Sequence, residues 1–251
     1  MKALVTGASS GIGRDIARVL SKKGYDIIAV ARDGNKLNEL KNELETKVEI
    51  IALDLEDADS CKELYKVVKN KNIDVLINNA GFGEFGEFTT TNLDKEISMI
   101  NTNITATHIL TKLFLQDMVK KDKGYILNVS SISGFMPGPL MATYYSTKSY
   151  VLRLTQSIYT ELKKQKSNVC ISVLCPGPVA TNFNNVAGVK FDLKSMSSEY
   201  VAKYAVDKMF KRKLVIIPGI KIKIVRFLAK ISPDKLTARV CYHMQKKKRG
   251  K

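Results

Sequence analysis

Seven short runs of β-branched and other apolar residues recur along this chain, separated by segments in which apolar residues repeat with the period of a helix. The runs are Ala3 to Val5, Asp26 to Ala31, Glu49 to Leu53, Asp74 to Ile77, Tyr125 to Val129, Val169 to Leu174 and Leu214 to Ile217. Most are almost continuously apolar, which is typical of parallel strands covered by helices on both faces. The alternation predicts a three-layer α/β fold with a doubly wound, seven-stranded parallel sheet.

The composition indicates one large domain without a membrane span. Of the 251 residues, 45% are hydrophobic, which is enough apolar material for a substantial core. The longest stretch without a charge, Gly124 to Thr147, is interrupted by Gly, Pro, Ser and Asn. The apolar run close behind Met1 leaves no room for a signal peptide. The four cysteines show neither a CxxC pair nor metal-ligand spacing. We expect reduced thiols, no metal and a cytoplasmic protein.

A glycine-rich loop follows the first apolar run. Thr6-Gly-Ala-Ser-Ser-Gly-Ile-Gly13 precedes a segment, starting at Arg14, that has the period of an amphipathic helix. Its three glycines permit a tight turn, so that a pyrophosphate can approach free amides at the helix N-terminus. The spacing GxxxGxG differs from the commoner GxGxxG, and such a turn also occurs as ordinary loop structure. Strand, loop and helix nevertheless stand in the order of a dinucleotide-binding Rossmann fold.

The end of the second run bears on the choice of dinucleotide. Binders of the unphosphorylated cofactor usually place an acidic residue here, whereas this chain has Arg32. A guanidinium can pair with a 2′-phosphate through two hydrogen bonds, and Arg14 is expected to add positive charge nearby. The alternative is a solvated loop arginine, and the adjacent Asp33 weakens the contrast. The pattern favours NADP(H) over NAD(H).

Tyr144 and Lys148 lie four residues apart in a segment, 142–164, whose apolar residues recur at helical spacing, so both side chains lie on one helix face. A tyrosine has a pKa of about 10, and a neighbouring ammonium is expected to lower it enough for proton exchange. Ser131 follows the strand 125–129 at its carboxyl end, where ligands bind in open α/β sheets. Its hydroxyl can hold a substrate carbonyl.

Taken in order, these elements resemble the short-chain dehydrogenases/reductases over nearly the whole chain. The resemblance rests on the TGxxxGxG loop, on Asn78-Asn-Ala-Gly81 after the fourth strand, and on Ser131 with Tyr144-x-x-x-Lys148. A YxxxK pair alone is a weak signal, but the complete series at these separations is a strong one. It implies an oxidoreductase that transfers a hydride between the nicotinamide of NADP(H) and a CH–OH or C=O carbon, with no catalytic metal.

The resemblance also implies individual roles. Ser131 would orient the carbonyl, Tyr144 would be the general acid, Lys148 would lower the tyrosine pKa and bind the ribose, and Asn103 would hold a water for proton relay. Asp54 would approach the adenine ring. The residues expected to bind the cofactor are Thr6, Gly7, Ser9, Ser10, Gly11, Ile12, Gly13, Arg32, Asp54, Leu55, Asn79, Ala80, Gly81, Tyr144, Lys148, Pro176, Gly177, Val179 and Thr181.

Two neighbouring residues compete for the catalytic roles. Tyr145 is adjacent to Tyr144, but only Tyr144 has the four-residue spacing to the lysine. Ser130 competes with Ser131, and strand alternation sends the two side chains to opposite faces. We favour Tyr144 and Ser131.

Apolar residues are concentrated around the expected nicotinamide position. They are Phe82, Phe85, Phe88, Phe135, Met136, Leu140, Met141 and the segment from Phe183 to Leu193. They indicate a hydrophobic substrate, such as a steroid, a fatty acyl thioester or a prenyl or aryl ketone, although core or subunit packing explains them equally well. The resemblance implies a dimer or tetramer formed through long helices around 92–118 and 142–164.

Basic residues are concentrated near the C-terminus. Residues 208–251 contain fifteen Lys or Arg and one acidic residue, within a net charge of +17. An apolar stripe on a helix can be formed by Ile220, Ile224, Phe227, Leu228 and Ile231. Such a helix either covers the active-site edge or a dimer partner with its lysines in water, or lies on an anionic membrane surface. We expect one Rossmann-type catalytic domain at 1–218, with a lid segment at 181–196, and a basic extension at 219–251 packed on or attached to it.

Two other classes of function compete with catalysis. A cofactor-binding sensor or scaffold would have the fold but no physical need for the full set of Asn103, Ser131, Tyr144 and Lys148. Nucleic-acid binding is suggested by charge alone, and the basic tail lacks interleaved stacking aromatics. We therefore expect a hydrophobic carbonyl or alcohol substrate and no specific nucleic acid.

Overall fold

The computed structural model describes residues 1–183, 187–188 and 195–246. The main strands are β1 (Lys2–Thr6), β2 (Asp26–Ala31), β3 (Val48–Ala52), β4 (Val75–Asn78), β5 (Tyr125–Val129) and β6 (Cys170–Leu174), followed by the short strands β7 (Val179–Ala180), β8 (Met196–Ser197) and β9 (Val215–Ile216). Seven of them form one sheet in the order β3-β2-β1-β4-β5-β6-β9, and every neighbouring pair is parallel. The predicted seven-stranded parallel sheet is confirmed. The two-residue strands β7 and β8 pair separately, and the sequence did not predict them.

Helices cover both faces of this sheet. They are α1 (Gly11–Ser21), α2 (Gly34–Glu43), α3 (Ala58–Val68), α4 (Leu93–Ile100), α5 (Thr107–Lys120), α6 (Ala142–Lys164), α7 (Ser198–Phe210), α8 (Ile220–Ile231) and α9 (Asp234–Lys246). Alternate residues of β1 point to opposite layers, because successive side chains of a strand leave opposite faces. Ala3 and Val5 pack in the cluster that includes α1, α2 and α7, whereas Leu4 packs in the cluster that includes α3, α5 and α6. The three-layer Rossmann architecture is confirmed.

The strand order places a crevice at a definite position. The chain winds outward from β1 through β2 to β3 and then returns, so that β4 pairs with the other side of β1. The loops that follow β1 and β4 therefore separate at the carboxyl ends of these strands, where ligands bind in open α/β sheets.

A π-helical turn, Asn101–Ala106, joins α4 to α5. Turns of this kind widen the helix locally and are frequent at functional sites. Here the turn carries Asn103, which is 1% exposed, into the interior. Among the residues that the structure describes, no helix is long and apolar enough to span a bilayer.

Candidate active site

A cleft of about 510 Å³ opens at the carboxyl ends of the strands and is lined by the segments that follow β1 to β6. Most of the predicted site residues line it: Gly7, Ser9, Ser10, Gly11, Ile12, Arg32, Asp54, Leu55, Asn79, Ala80, Gly81, Ser131, Tyr144, Lys148, Pro176, Gly177, Val179 and Thr181. Three further predicted residues, Thr6, Gly13 and Asn103, do not belong to the lining. In the described ranges, no group of three His, Cys, Asp or Glu is arranged to hold a metal.

The glycine loop is held tightly against the loop after β4. Gly7 has φ +64°, and a Cβ atom there would lie 2.9 Å from the Cα of Ala80. A Cβ atom on Gly13 would lie 2.4 Å from the carbonyl oxygen of Gly7. Thr6 Oγ1 accepts hydrogen bonds from the backbone N–H groups of Asn79 and Ala80 at 3.0 and 3.1 Å. Thr6 and Gly13 thus lie behind the cleft lining and hold the residues that form it in place.

The N-terminus of α1 supplies an anion-binding feature. The N-cap residue Ser10 makes no side-chain capping hydrogen bond, and the first turn of the helix contains no acidic residue. Gly11 and Ile12 of this turn line the cleft. Amide groups without partners at a helix N-terminus favour a negatively charged ligand. Together with the close approach at Gly7, this arrangement fits the pyrophosphate of a dinucleotide.

Arg32 lies on the cleft rim, where 70% of its side chain is exposed and Nη1 lies 3.6 Å from Asp54 Oδ2. The neighbouring Asp33 carboxylate accepts a hydrogen bond from the backbone N–H of Lys36 at 3.1 Å and so caps α2. Lys36, which was not among the predicted site residues, joins Arg32 in lining the cleft. The position of Lys36 in the first turn of the helix after β2 could have indicated from the sequence that it lies at the cleft.

Arg14 does not add free positive charge to this cleft, contrary to expectation. Its guanidinium pairs with Glu39 at 3.4 Å and with Glu43 at 2.5 Å, and it is absent from the lining. The partners lie on α2, 25 and 29 residues along the chain, so local spacing does not reveal them.

Tyr144 and Lys148 extend from the first turns of α6, and their exposed fractions are only 9% and 5%. Lys148 Nζ lies 5.8 Å from the centroid of the tyrosine ring and donates a hydrogen bond to the Val129 carbonyl at 3.0 Å. Burial raises the pKa of Tyr144, and the neighbouring hydroxyls of Ser131 and Ser133 act in the opposite direction. Burial also lowers the pKa of Lys148 to about 8. The expected lowering of the tyrosine pKa by Lys148 is not found, because desolvation is the largest effect and the groups that oppose it are the two serines.

The two candidate serines have different partners. Ser131 Oγ accepts a hydrogen bond from the backbone N–H of Ser133 at 3.2 Å and lies beside Tyr144. Ser130 is 2% exposed, and its hydroxyl donates to the Lys148 carbonyl at 2.6 Å. This geometry favours Ser131 over Ser130. The hydroxyl of Ser133 is buried at the cleft beside Tyr144, which makes it a candidate ligand contact that was not among the predicted residues.

Asn103 fixes the loop after β4 against α6. Its Oδ1 accepts from the Phe82 N–H at 3.0 Å, and its Nδ2 donates to the Phe82 carbonyl and to Thr147 Oγ1 at 2.9 and 3.0 Å. Both amide hydrogens are thus used within the protein. The water-holding role implied by the family resemblance stays a prediction.

Of the predicted apolar residues that the structure describes, only some reach the cleft. The members that line it are Phe82, Met141 and Phe183. Phe88 is instead 68% exposed, and Phe135 packs in a separate cluster against α8. The predicted lid at 181–196 is described only in part, since residues 184–186 and 189–194 lie outside the described residues.

The C-terminal helices contribute to the cleft wall. Gln245 of α9 lines the cleft, is 2% exposed, and donates from Nε2 to the Tyr145 hydroxyl at 2.7 Å. In α8, Ile222 lies so close to Gly177 that a Cβ atom there would be 2.4 Å from Ile222 Cδ1. No local motif marks Gln245 as a site residue, because its partner is distant in sequence.

The chain matches the short chain dehydrogenase family over residues 1–190. It is 34% identical over 181 residues to an uncharacterized oxidoreductase of Staphylococcus epidermidis, covering 71% of this chain and 78% of that protein. It is 35% identical over 208 residues to very-long-chain 3-oxoacyl-CoA reductase-A of Danio rerio, covering 80% of this chain and 64% of that protein.

Solved structures show the same similarity. A short-chain dehydrogenase from Sphingobium yanoikuyae in complex with NADPH has a TM-score of 0.81 at 28% identity, covering 92% of this chain and 96% of that one. The bulky-bulky ketone specific alcohol dehydrogenase of Comamonas testosteroni has a TM-score of 0.78 at 27% identity, covering 92% and 94%. The cleft and the NADPH-bound relative from Sphingobium yanoikuyae support a nicotinamide dinucleotide as cofactor. This chain therefore belongs to the short-chain dehydrogenase/reductase family and is an oxidoreductase acting on CH–OH or C=O groups.

Proposed function

We propose that this protein reduces a hydrophobic ketone or 3-oxoacyl thioester with NADPH, with Tyr144 as the general acid. The observation that carries the proposal is that Ser131, Tyr144 and Lys148 lie in the same cleft as the glycine loop at Gly7 and Gly11. A dinucleotide and a carbonyl substrate can thus be bound side by side, which supplies the proximity that hydride transfer requires.

The side chains divide the proton chemistry between them. When bound in this cleft, the nicotinamide cofactor would supply the hydride that the carbonyl carbon receives. Ser131 holds the carbonyl oxygen by a hydrogen bond, and Tyr144 donates its proton to that oxygen as negative charge develops. Because burial raises the pKa of Tyr144, the phenol enters the reaction protonated, as an acid must. Lys148, with its pKa lowered to about 8, can return a proton to the tyrosine near neutral pH.

Two cations at the rim support NADP(H) as the preferred cofactor. Arg32 and Lys36 both line the end of the cleft next to β2, and each side chain is more than half exposed. The Asp33 carboxylate caps α2 and pairs with the Lys36 ammonium at 3.1 Å, so its charge is already met within the protein. A 2′-phosphate there would gain two charged partners, whereas a 2′-hydroxyl would gain little from them. The relative from Sphingobium yanoikuyae binds NADPH, which is consistent with this assignment.

The apolar wall formed by Phe82, Met141 and Phe183 supports a hydrophobic substrate. The relatives point the same way, since one set is named for very-long-chain 3-oxoacyl-CoA reduction and another for bulky ketones. We therefore place the substrate among lipid-like ketones and 3-oxoacyl thioesters.

The test is NADPH oxidation by the purified chain with a panel of 3-oxoacyl thioesters of increasing chain length, bulky aryl ketones and small polar ketones. The proposal expects kcat/KM to rise with apolar size. Turnover confined to small polar ketones would contradict the substrate class. A rate no higher than that of a Tyr144→Phe variant would contradict the catalytic assignment.

We further propose that the chain forms a homo-oligomer through α4, α5 and α6. Exposed apolar side chains on these helices, Leu93 and Ile97 among them, support this assembly. We also propose that the protein functions in a reducing compartment such as the cytoplasm, because none of its four cysteines forms a disulfide. Light scattering on the purified chain tests the assembly.

A further inference from the structure

Helices α8 and α9 turn an apolar surface toward solvent. Its members, here named the C-terminal apolar face, are Ile220, Ile224, Val225, Phe227, Leu228, Ile231, Leu236, Val240 and Met244. Phe227 and Ile231 are each 61% exposed, and Ile220 is 69% exposed. On α8, Ile220, Ile224, Phe227 and Ile231 lie on one helix face, and an exposed apolar face of this kind marks an interaction site.

The packing of α8 explains why this face is not part of the core. The helix contacts the domain through Ile222, which packs near Gly177, and through Arg226, whose guanidinium carbon lies 5.1 Å from the centroid of the Phe135 ring. These contact positions lie on the side opposite the stripe of Ile224 and Phe227. A helix that served only as a cover would bury its apolar stripe, and this helix does the reverse.

Helix α9 repeats this division. Its buried positions are Thr237, Cys241 and Gln245, spaced four residues apart along one face. Leu236 and Val240, on a neighbouring face, are 51% and 50% exposed. Both helices therefore hold the domain with one face and present apolar side chains on another.

The surroundings of the C-terminal apolar face are strongly basic. Residues 219–246 include one acidic residue, Asp234, and seven basic ones: Lys221, Lys223, Arg226, Lys230, Lys235, Arg239 and Lys246. The sequence continues with four more cations, Lys247, Lys248, Arg249 and Lys251. Apolar side chains interleaved with lysines and arginines are typical of helices that lie in the interface of an anionic bilayer.

We propose that α8 and α9 form a docking surface for an anionic lipid bilayer, in which the C-terminal apolar face enters the headgroup region and the surrounding lysines and arginines contact anionic headgroups. Charge argues for this occupant over a second copy of the chain. A two-fold interface would bring the basic surfaces of two copies against each other, and the repulsion between like charges is unfavourable.

Docking of this kind has a consequence for the cleft. Gln245 of α9 lines the cleft, and so does Gly177, against which Ile222 of α8 packs. The lipid-facing helices thus form part of the cleft rim. If the proposed function holds, a hydrophobic substrate can pass from the bilayer to the cleft without crossing bulk water.

The test is co-sedimentation of the full chain with phosphatidylcholine vesicles, with and without phosphatidylglycerol. We expect binding that requires phosphatidylglycerol and weakens as salt is added. The variant Ile224→Ser/Phe227→Ser/Leu228→Ser should lower the partition coefficient by about tenfold or more. The matched control is Val67→Ser/Phe88→Ser/Tyr200→Ser, which removes exposed apolar side chains elsewhere and should bind as the wild type does.

Several results would overturn this proposal, and none of them depends on turnover. They are the absence of binding to either vesicle, equal loss in the control variant, and binding to duplex DNA without binding to vesicles. A fall in molar mass caused by the Ile224→Ser/Phe227→Ser/Leu228→Ser variant, without any vesicle binding by the wild type, would assign the face to a second copy. Failure of the proposed reductase activity would leave the vesicle result unaffected.

Discussion

The side-chain amide of Gln245 donates a hydrogen bond to the hydroxyl of Tyr145 at 2.7 Å and so joins residues one hundred positions apart. The bond ties the last turn of α9 to α6, next to Tyr144. Gln245 Oε1 is buried and has no hydrogen-bond partner among the described residues. The C-terminal extension therefore supplies both a wall and a free polar atom to the cleft.

Gln245→Leu should weaken substrate binding more than cofactor binding, because the residue is hydrogen-bonded to Tyr145, whose ring lies against that of Tyr144. Loss of a buried hydrogen bond costs about 1 kcal/mol, so we expect KM for the ketone to rise about fivefold. Calorimetry should show little change in the Kd for NADPH. The exposed Gln165→Leu is the control, and an equal rise in both constants would contradict this assignment.

Tyr144→Phe should lower kcat by about 10²-fold to 10⁴-fold, because the variant lacks the proton that the carbonyl oxygen must receive. NADPH binding, followed by calorimetry, should change little. Tyr145→Phe is the matched control and should keep most of the turnover. Comparable losses in the two variants would mean that the acid is misassigned.

Arg32→Asp should reverse the cofactor preference. The variant removes a charged hydrogen-bond donor from the rim and places a carboxylate beside a 2′-phosphate, and each such bond contributes about 1.5 to 3 kcal/mol. We expect KM for NADPH to rise about tenfold or more, and far more than KM for NADH. Arg153→Asp, on the exposed face of α6, controls for net charge. Equal changes in both Michaelis constants would rule out a phosphate contact.

Lys148→Met should abolish turnover yet stabilise the fold near neutral pH. Burial lowers the lysine pKa from 10.5 to about 8, so the unfolded chain binds more protons than the folded chain between these values. Wild-type stability therefore gains from this group as pH rises from about 8 to 10.5, and below that range the buried charge is a cost. At pH 7 the free energy of unfolding of the variant should exceed that of the wild type by up to about 3 kcal/mol. The loss of the hydrogen bond to Val129 reduces this gain by about 1 kcal/mol.

Urea unfolding of both proteins at pH 7 and pH 10 measures this difference. The advantage of the variant should shrink at the higher pH, because the wild-type lysine is then largely neutral in the folded state. A difference that does not change with pH would show that Lys148 keeps an ordinary pKa.

Sequence alone determined the sheet, the glycine loop and most of the cleft lining. Strand positions follow from apolar runs, and the predicted bounds agree with the observed strands to within one residue at each end. The contacts of Tyr144 and Lys148 with one cleft follow from four-residue spacing on a helix. These features depend on local periodicity and on the backbone conformations that glycine adopts readily, and both can be recognised from neighbouring residues.

Only the tertiary structure decided the rest. The pairing of Arg14 with α2, the position of Gln245 and the outward direction of Phe227 each depend on elements distant along the chain. The rise in the pKa of Tyr144 also required the fold, because desolvation is set by everything packed around the ring, whereas the lysine four residues away is visible in the sequence. Burial and long-range partners are properties of the packed chain, so no local pattern contains them.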